Sequence, residues 1–442
     1  MASAREILLG LEQWGIRLGL EHLRELAAAL GHPERATPAV IVAGTNGKGS
    51  VSALLASIAE AAGLRTGLYT SPHLERVEER IRVGGREIDA AALGDLLQEV
   101  LAAAARLGHA SPTYFEAMTL GALLQFARQK VDLSVLEVGM GGRLDATNLA
   151  DGRLAVVTAI ALDHQEFLGS TLDAIAREKA GVLRTGQPAV FSPQLPDAAR
   201  ALADEAGKRG ARALDVGDEV VAMAVRFRGL AGLGIRLTTR QRSYELESAL
   251  SGRHQAWNVA TAVVAAEQFA AAGLPTLPPG AIVAGVAACR WPGRLEALPV
   301  PGAGTTVLLD AAHNPAGCKA LVEFLDELDR PFTLLFGALA DKDLGQMLPD
   351  LAARASRVVL TRPASPRAAD PATLAALVPA AKSVRVEARI EAALELALAD
   401  EPARPAPPHL AHLPHLVVAC GSIFLIGELR TILLRSRPEP SG

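Results

Sequence analysis

The strongest constraint on the fold is a glycine-rich segment between an apolar run and an amphipathic pattern. Residues 39–44 (AVIVAG) predict a β-strand, and apolar residues at spacing i, i+3, i+4 and i+7 from Val51 to Ile58 predict a helix. The loop between them, residues 44–50 (GTNGKGS), contains Lys48. This context is typical of a phosphate cradle, because backbone N–H groups at a helix N-terminus and a lysine ammonium attract phosphate oxygens. A plain strand-to-helix turn is the alternative interpretation.

The loop departs from the common form GxxxxGK[ST] at one position. Gly49 stands where a Ser or Thr hydroxyl ordinarily binds Mg²⁺. A metal ion at this loop therefore needs ligands from elsewhere in the chain, and standard P-loop GTPases and motor ATPases are disfavoured.

The composition is that of a soluble globular protein with enough length for about two or three domains. The 442 residues carry a net charge of −4, and 50% of them are apolar while 21% are charged. A nucleic-acid-binding protein usually has a strong basic excess, and a disordered chain has few apolar residues. Both classes are therefore excluded.

The cysteines and the N-terminus indicate a cytoplasmic protein. Cys289, Cys318 and Cys420 are far apart and form no CxxC pair, so neither a disulfide framework nor a zinc site is expected. Charged residues such as Arg5 and Glu6 interrupt the N-terminal segment where a signal peptide needs an apolar stretch. No apolar run approaches the length of a membrane span.

The order of predicted elements indicates two α/β domains. Strand-like runs that alternate with helical patterns predict a mostly parallel sheet, and residues 215–250 predict a small antiparallel β region. The Pro- and Gly-rich residues 291–304 predict an interdomain linker, after which strand-like runs resume. We therefore expect an N-terminal P-loop domain at 1–295 and a smaller Rossmann-like C-terminal domain at 296–442. The candidate strands of the first domain are residues 39–44, 133–139, 154–160 and 189–192, and a Pro/Ala-rich surface loop is expected at 402–416.

Nine motifs occur in an order that carries a family resemblance. They are AGTNGKGS (43–50), TSPHL (70–74), EVGMGGRLDATN (137–148), ALDHQEFLG (161–169), EKAGVLR (178–184), HQAWNVATA (254–262), PGRLE (292–296), LLDAAHNP (308–315) and GALADKD (337–343). In this order they resemble the folylpolyglutamate synthase/dihydrofolate synthase family of the Mur ligase superfamily. The resemblance covers nearly the whole chain.

The resemblance implies a metal and nucleotide site. Glu137 ends an apolar strand, where a hard carboxylate suits Mg²⁺. The resemblance makes Ser71, Glu137 and His164 Mg²⁺ ligands, and Lys179 a lysine carbamylated by CO₂. From the residues alone, Ser71 could belong to a Ser-Pro turn, His164 could be a structural side chain, and Lys179 could serve a helix C-terminus. The residues implied for ATP binding are Asn46, Gly47, Lys48, Gly49, Ser50, Asn258, Arg294 and Asp310, and those implied for catalysis are Lys48, Lys179, His164 and His313.

The resemblance also implies a pterin and folate pocket. Aromatic rings can stack on a flat heterocycle, and an arginine can hold a carboxylate with two hydrogen bonds. Tyr114 and Phe115 are equally well explained as core residues at a helix start. The implied residues are Gly19, Leu20, Glu21, Thr113, Tyr114, Phe115, Glu116, Arg143, Leu144 and Asp145.

The implied reaction is amide formation in two steps. The γ-phosphoryl group of ATP passes to a substrate carboxylate, and the amino group of L-glutamate then displaces the phosphate. The substrates are dihydropteroate and reduced folates, which makes the chain a bifunctional bacterial-type enzyme. The implied cofactors are ATP, two Mg²⁺ ions, K⁺ and CO₂ as the lysine carbamate, and the enzyme is expected to be a cytoplasmic monomer with no nucleic-acid or membrane partner.

Three other functions are weighed against this one. A cell-wall Mur ligase usually has a nucleotide-sugar domain before the phosphate loop, but only 43 residues precede Gly44, fewer than the roughly 50 of a small domain. A nucleotide-dependent switch would hydrolyse ATP without an acceptor. A dinucleotide oxidoreductase needs a GxGxxG motif, and GMGG at 139–142 has the wrong spacing.

Replacing Lys48 tests the phosphate-loop assignment. We expect Lys48→Ala to abolish ATP-dependent ligation and leave the fold intact, because the substitution removes the charge that neutralises the phosphates. Phosphate release and circular dichroism are the measurements. Retained activity would contradict the assignment.

Overall fold

The chain folds into two compact units. A computed structural model describes residues 4–11, 15, 17, 19–108, 110–302, 304–399 and 415–435. The first unit runs to Arg226 and includes Gly234–Ala249 and Gln255–Arg290, and the second contains Phe227–Leu233, Leu250–His254 and the chain from Trp291 onward. The domain boundary at residues 295 and 296 stays a prediction. Residues 402–414 of the expected Pro/Ala-rich loop lie outside the described residues.

An eight-stranded sheet is the frame of the described part of the first unit. Its strands are β1 (Ala39–Ala43), β2 (Thr66–Tyr69), β3 (Ile81–Val83), β4 (Arg86–Glu87), β5 (Leu133–Glu137), β6 (Gly152–Val157), β7 (Pro188–Phe191) and β8 (Arg212–Asp215). The strand order is β4-β3-β2-β5-β1-β6-β7-β8. From β2 to β8 all neighbours are parallel, and β3 and β4 extend the edge in antiparallel pairing.

The central strands of this sheet are buried throughout, because helices cover both of its faces. All five residues of β1 and of β5 are buried, as expected when both faces of a parallel sheet are covered. The helices of the unit are α1 (Ala4–Leu11), α2 (Glu21–Ala29), α3 (Lys48–Ala61), α4 (Ala90–Leu107), α5 (Tyr114–Arg128), α6 (Gln165–Leu168), α7 (Leu172–Lys179), α8 (Pro196–Arg209), α9 (Val216–Glu219), α10 (Arg253–Glu267) and α11 (Pro279–Ala288). The first two residues of α10 belong to the second unit.

The small sheet expected between residues 215 and 250 is present. It consists of β9 (Val220–Phe227), β10 (Leu233–Thr239) and β11 (Ser243–Ser248) in the order β11-β10-β9. In β11, buried and exposed residues alternate strictly. This alternation is typical of a strand with one face on a core and the other toward water.

A six-stranded sheet forms the described part of the second unit. Its strands are β12 (Glu296–Val300), β13 (Thr305–Leu309), β14 (Thr333–Phe336), β15 (Arg357–Leu360), β16 (Val384–Val386) and β17 (His415–Cys420), in the order β12-β13-β17-β14-β15-β16. The pairing is parallel except between β12 and β13. The accompanying helices are α12 (Pro315–Leu328), α13 (Leu344–Arg354), α14 (Pro371–Ala375), α15 (Ile390–Leu398) and α16 (Ile423–Arg435).

The interpretation of residues 291–304 as a linker is wrong in part. Residues Glu296–Val300 form β12, which pairs antiparallel with β13, so that Pro299 lies opposite Thr306. Proline has no N–H to donate, and it is tolerated on an edge strand, where one side of the strand has no partner. Because β12 is the edge of its sheet, the proline content that suggested a linker is compatible with a strand here.

The four strands predicted in the first domain are confirmed as β1, β5, β6 and β7, whereas β2, β3, β4 and β8 were missed. β2 has only four residues and contains Gly67, so its sequence shows no strand pattern. A Cβ on Gly67 would lie 2.6 Å from the ring of Phe126, which shows how closely helix α5 packs on this strand. Among the described residues, no helix is long and apolar enough to cross a membrane.

A glycine allows helices α3 and α11 to pack closely. A Cβ on Gly285 would lie 2.6 Å from the Ile58 backbone nitrogen, and Ser57 Oγ donates to the Gly285 carbonyl at 2.7 Å.

Because of this close packing, we expect Gly285→Ala to lower the free energy of unfolding by about 1–3 kcal/mol through overpacking. Gly280 on the same helix has nothing within 4 Å of its Cβ position. Gly280→Ala should be neutral or stabilising by up to about 1 kcal/mol, and equal effects of the two substitutions in urea denaturation would contradict the packing argument.

Candidate nucleotide and metal site

The predicted phosphate and metal residues meet at one edge of the first unit's sheet. Strands β2, β5, β1 and β6 are consecutive and parallel, so their carboxyl ends lie side by side. The phosphate loop follows β1, Ser71 follows β2, Glu137 ends β5, and His164 follows β6. The carboxyl edge of a parallel sheet is the usual place for a ligand in such folds.

Two glycines shape the phosphate loop. Gly44 and Gly47 have φ values of 138° and 91°, in the region that favours glycine. A Cβ on Gly44 would overlap Thr158 Oγ1, and one on Gly47 would overlap Asn258 Oδ1. The loop is therefore held between the segment after β6 and helix α10, with no room for a side chain at either position.

The rest of the loop leads into α3 as expected. The backbone N–H groups of Thr45 and Asn46 donate to the Ala159 carbonyl at 3.1 and 3.0 Å. Helix α3 begins at Lys48, whose Nζ donates to the Thr45 carbonyl at 3.1 Å. The predicted strand, loop and helix therefore follow one another directly.

A hydrogen bond joins two of the predicted metal ligands. The backbone N–H of Ser71 donates to Glu137 Oε2 at 3.1 Å, and Glu137 is 5% exposed. A carboxylate and a serine hydroxyl are oxygen ligands of the kind that Mg²⁺ prefers. These two residues fit a Mg²⁺ ion that takes its remaining ligands from phosphate and water.

His164, the third predicted metal ligand, has a backbone conformation that is unusual for a residue other than glycine. It is exposed, has a φ of 50°, and its backbone N–H donates to Asp163 Oδ1 at 3.0 Å. Within the described ranges, no group of three or more His, Cys, Asp or Glu side chains is close enough to hold a metal ion. The role of His164 as a ligand stays a prediction.

Lys179 reaches the start of the phosphate loop. It is the last residue of α7, it is 4% exposed, and its Nζ donates to the Gly44 carbonyl at 2.6 Å. Burial and the Lys48 ammonium lower the pKa of Lys179 to about 7, while Asp163 and Asp145 act in the opposite direction. A substantial fraction of the amine is therefore neutral near pH 7, which is the form that can react with CO₂.

Helix α10 contributes a residue that the sequence pattern left unassigned. Gln255 Nε2 donates to Ser50 Oγ at 3.3 Å, and Gln255 Oε1 accepts from Asn258 Nδ2 at 2.8 Å. Residues three apart share a helix face, so the spacing of Gln255 and Asn258 could have indicated the pair. Only the structure connects it to Ser50.

The two N-terminal segments predicted for folate binding are linked through Glu116. Thr113 caps α5, and its backbone N–H donates to Glu116 Oε2 at 2.7 Å while the Glu116 N–H donates to Thr113 Oγ1. Glu116 Oε1 also lies 3.2 Å from His22 Nε2, and Arg17 is 3.9 Å from Oε2. His22 follows Gly19–Glu21 directly, so this contact brings the segments together.

The predicted aromatic residues lie half-buried on the core. Phe115 lies 6.0 Å from Tyr69 between ring centroids, and the Arg80 guanidinium lies 5.0 Å over the Tyr114 ring. Arg80 Nε also donates to His73 Nδ1 at 3.0 Å. Burial and Arg80 lower the pKa of His73 to about 4, so the ring is neutral and can accept this bond. Arg80 and His73 were missed because nothing in their spacing connects them with Tyr114.

Asp145 organises the loop in which it was predicted to bind folate. It is 7% exposed, and its oxygens accept from the N–H groups of Gly139, Met140 and Thr147 and from the Thr147 hydroxyl. Burial raises the pKa of Asp145, and these hydrogen bonds oppose the shift. Leu144 beside it is half-buried. The neighbouring Arg143 is exposed and pairs with Glu178 at 3.0 Å.

Arg294, Asp310 and His313, which were predicted for nucleotide binding and catalysis, lie around the segment that follows β13. Asp310 is buried and accepts from the N–H groups of Leu295 and Ala312, each at 3.0 Å. Burial raises the pKa of Asp310, and Arg294 acts in the opposite direction. Arg294 Nη1 and His313 Nδ1 lie 3.5 and 2.8 Å from the Ala311 carbonyl.

Two family models match the chain in sequence order. The Mur ligase middle domain covers residues 42–266, and the Mur ligase glutamate ligase domain covers residues 293–422. This chain belongs to the Mur ligase family. Its predicted family, α/β fold and ligase class are thereby confirmed.

Curated relatives narrow the family. The folylpolyglutamate synthase of Lacticaseibacillus casei is 36% identical, over 92% of this chain and 93% of that protein. A probable bifunctional folylpolyglutamate synthase/dihydropteroate synthase of Halobacterium salinarum is 37% identical over 99% of this chain. This chain spans 52% of that second relative.

Solved structures of folylpolyglutamate synthases are also similar to this chain. FolC of E. coli in complex with DHPP and ADP has a TM-score of 0.85 and 32% identity, covering 99% of both chains. A bifunctional folylpolyglutamate synthase/dihydrofolate synthase with Mn, AMPPNP and L-glutamate bound has a TM-score of 0.83 and 33% identity, covering 98% of both chains. A nucleotide and a divalent metal ion are therefore ligands of solved members of this ligase family.

Removing the Asp145 carboxylate tests its place in the loop. We expect Asp145→Ala to lower the free energy of unfolding by about 1–3 kcal/mol, because it leaves buried N–H groups without acceptors. Arg143→Ala, which removes an exposed ion pair two residues away, should cost at most about 1 kcal/mol. Urea denaturation compares the two. Equal costs would show that Asp145 does not hold the loop.

Proposed function

We propose that this chain is an ATP-dependent ligase that adds L-glutamate to dihydropteroate and to reduced folates. The observation that carries the proposal is the Ser71–Glu137 pair, which lies where β2 and β5 end, next to the phosphate loop. An oxygen ligand pair beside a phosphate cradle suits a nucleotide with its divalent metal ion. The dihydrofolate synthase and folylpolyglutamate synthase names of the relatives supply the substrates.

Activation of a carboxylate by phosphoryl transfer suits the residues at this edge. The Lys48 ammonium and the N-terminus of α3 would hold the phosphates, with Asn46, Gly47, Gly49 and Ser50 completing the loop. The γ-phosphoryl group moves to a folate carboxylate oxygen, and the amino group of L-glutamate then attacks the acyl carbon and displaces phosphate. Mg²⁺ at Ser71 and Glu137 would neutralise phosphate charge.

The remaining site residues are proposed for the second metal ion, the nucleotide and catalysis. His164 is assigned to a second Mg²⁺ ion, and Asn258, Arg294 and Asp310 are assigned to the nucleotide, with His313 in catalysis. K⁺ is proposed as a further cation on the family resemblance alone.

On the folate side, the proposed residues fall into two groups. Phe115 and Tyr114 offer ring faces, and Arg143 offers a guanidinium that is exposed enough to leave Glu178 for a substrate carboxylate. The second group includes Glu116 and Asp145, which also hold the surrounding backbone. Glu116 Oε2 accepts from the Thr113 N–H, and Asp145 accepts from three backbone N–H groups and the Thr147 hydroxyl. Gly19, Leu20, Glu21, Thr113 and Leu144 complete this set.

A reducing compartment and a single subunit are proposed for the enzyme. Cys289, Cys318 and Cys420 are free and buried, so these thiols form no disulfide. The free thiols suit a cytoplasmic enzyme, and the single subunit is proposed on the family resemblance alone.

Carbamylation of Lys179 is proposed from its burial and lowered pKa. The neutral amine would attack CO₂ and lose a proton, and the resulting carbamate would give oxygen ligands to a second metal ion. We expect ¹³C-labelled bicarbonate to give a carbamate NMR signal in the wild type and none in Lys179→Met. The exposed Lys208 supplies the control, since Lys208→Met should keep the signal. Loss of the signal in both variants, or in neither, would contradict the assignment.

The ligase activity is tested by phosphate release with ATP, L-glutamate and an acceptor. We expect release with dihydropteroate and with tetrahydrofolate, and a background at least about 100-fold slower without acceptor, since the phosphoryl group needs a carboxylate to receive it. Mass spectrometry of the product should show one added glutamate. No turnover with dihydropteroate would remove the first activity, and equal ATP hydrolysis without acceptor would favour a nucleotide switch.

A further inference from the structure

Gln255 connects the phosphate-loop helix to Asn258. It is 2% exposed and lies in the first turn of α10. One end of its amide donates to Ser50 Oγ at 3.3 Å, and the other end accepts from Asn258 Nδ2 at 2.8 Å. Ser50 lies in the first turn of α3 and is also buried. A single side chain therefore bridges the two helix starts that border the loop.

This bridge decides which end of the Asn258 amide faces the loop. An asparagine can turn either a carbonyl acceptor or an NH₂ donor toward a given point. With Nδ2 bound to Gln255, Oδ1 faces Gly47: a Cβ at Gly47 would overlap Oδ1, whereas Nδ2 lies 3.3 Å from that position. Asn258 therefore presents a hydrogen-bond acceptor.

An acceptor at this place suits only part of a nucleotide. Phosphate oxygens are acceptors themselves at neutral pH, so they gain nothing from a carbonyl oxygen. The donors of ATP are the exocyclic amine of the base and the hydroxyls of the ribose. Asn258 Oδ1 is matched to one of these donors.

We propose that Gln255 is a positioning residue that fixes the Asn258 carbonyl toward a hydrogen-bond donor of the nucleotide and so determines nucleotide selectivity. The inference rests on the proposed function, because it takes Asn258 to contact the nucleotide. Without Gln255, the Asn258 amide can rotate and present its NH₂ group instead. The preference for ATP over nucleotides that lack this donor should then fall.

The test compares four nucleotides in the wild type and in Gln255→Met, which keeps the length of the side chain and removes both hydrogen bonds. ITP replaces the base amine with a carbonyl, and 2′-deoxy-ATP and 3′-deoxy-ATP each lack one hydroxyl. We expect ATP to exceed at least one analogue by about tenfold in kcat/KM, and Gln255→Met to raise KM for ATP about three- to tenfold with little change in kcat. The preference over that analogue should shrink to about threefold or less. If ITP has the lower kcat/KM, the donor is the base amine. If a deoxynucleotide has the lower kcat/KM, the donor is a ribose hydroxyl.

Two controls separate positioning from general loosening. If Gln255 acts through Asn258, adding Gln255→Met to Asn258→Leu should raise KM for ATP less than about twofold further. Inorganic triphosphate has neither base nor ribose, so its inhibition constant should stay within about twofold of the wild-type value in Gln255→Met. Thermal unfolding checks the fold, and Gln255→Ala replaces Gln255→Met if the latter does not fold.

The inference is overturned if the folded variant keeps the wild-type preferences, if the two substitutions raise KM additively, or if inorganic triphosphate weakens as much as ATP. It is also overturned if no analogue is weaker than ATP in the wild type. A wild-type chain without any ATP-dependent ligation would instead count against the proposed function.

Discussion

The phosphate loop lies where three distant segments converge, and two of its positions have no space for a side chain. A Cβ on Gly44 would overlap Thr158, which follows β6, and a Cβ on Gly47 would overlap Asn258 on α10. The carbonyl of Gly44 then accepts the Lys179 amine from α7. Because Thr158 and Asn258 occupy the space that a Cβ would fill, the approach of both segments to the loop depends on these two glycines.

Buried charged groups form the second layer of this arrangement. Glu137, Asp145 and Lys179 are each less than a tenth exposed, and each is bound to a backbone group: Glu137 and Lys179 to another loop, and Asp145 to its own loop. A charge taken out of water without such partners would cost several kcal/mol. The side chains that can serve chemistry therefore also fix the backbone around them, so a substitution at these positions changes the loop as well as the charge.

The parts of the fold that were predictable are those coded by short-range patterns. The strands at 39–44 and 133–139 show continuous apolar runs, and the loop between β1 and α3 follows from its glycines and Lys48. The edge strand β12 escaped because its Pro299 is typical of a linker, and only its place at the sheet edge makes a proline acceptable. The substrate role expected of Asp145 stays a prediction, and the sequence did not indicate that its oxygens bind Gly139, Met140 and Thr147 of its own loop. A carboxylate in a sequence does not reveal which donors will surround it.

The sequence by itself determined the α/β class, the phosphate loop and, through nine motifs in order, the Mur ligase family. The tertiary structure alone decided which side chains meet. Ser71 and Glu137 are 66 residues apart, Gly44 and Lys179 are 135 apart, and Ser50 and Gln255 are 205 apart. Hydrogen bonds act over about 3 Å, so these pairs depend on the strand order that places β2, β5 and β1 side by side and on the packing of α7 and α10. No local pattern of residues contains that order.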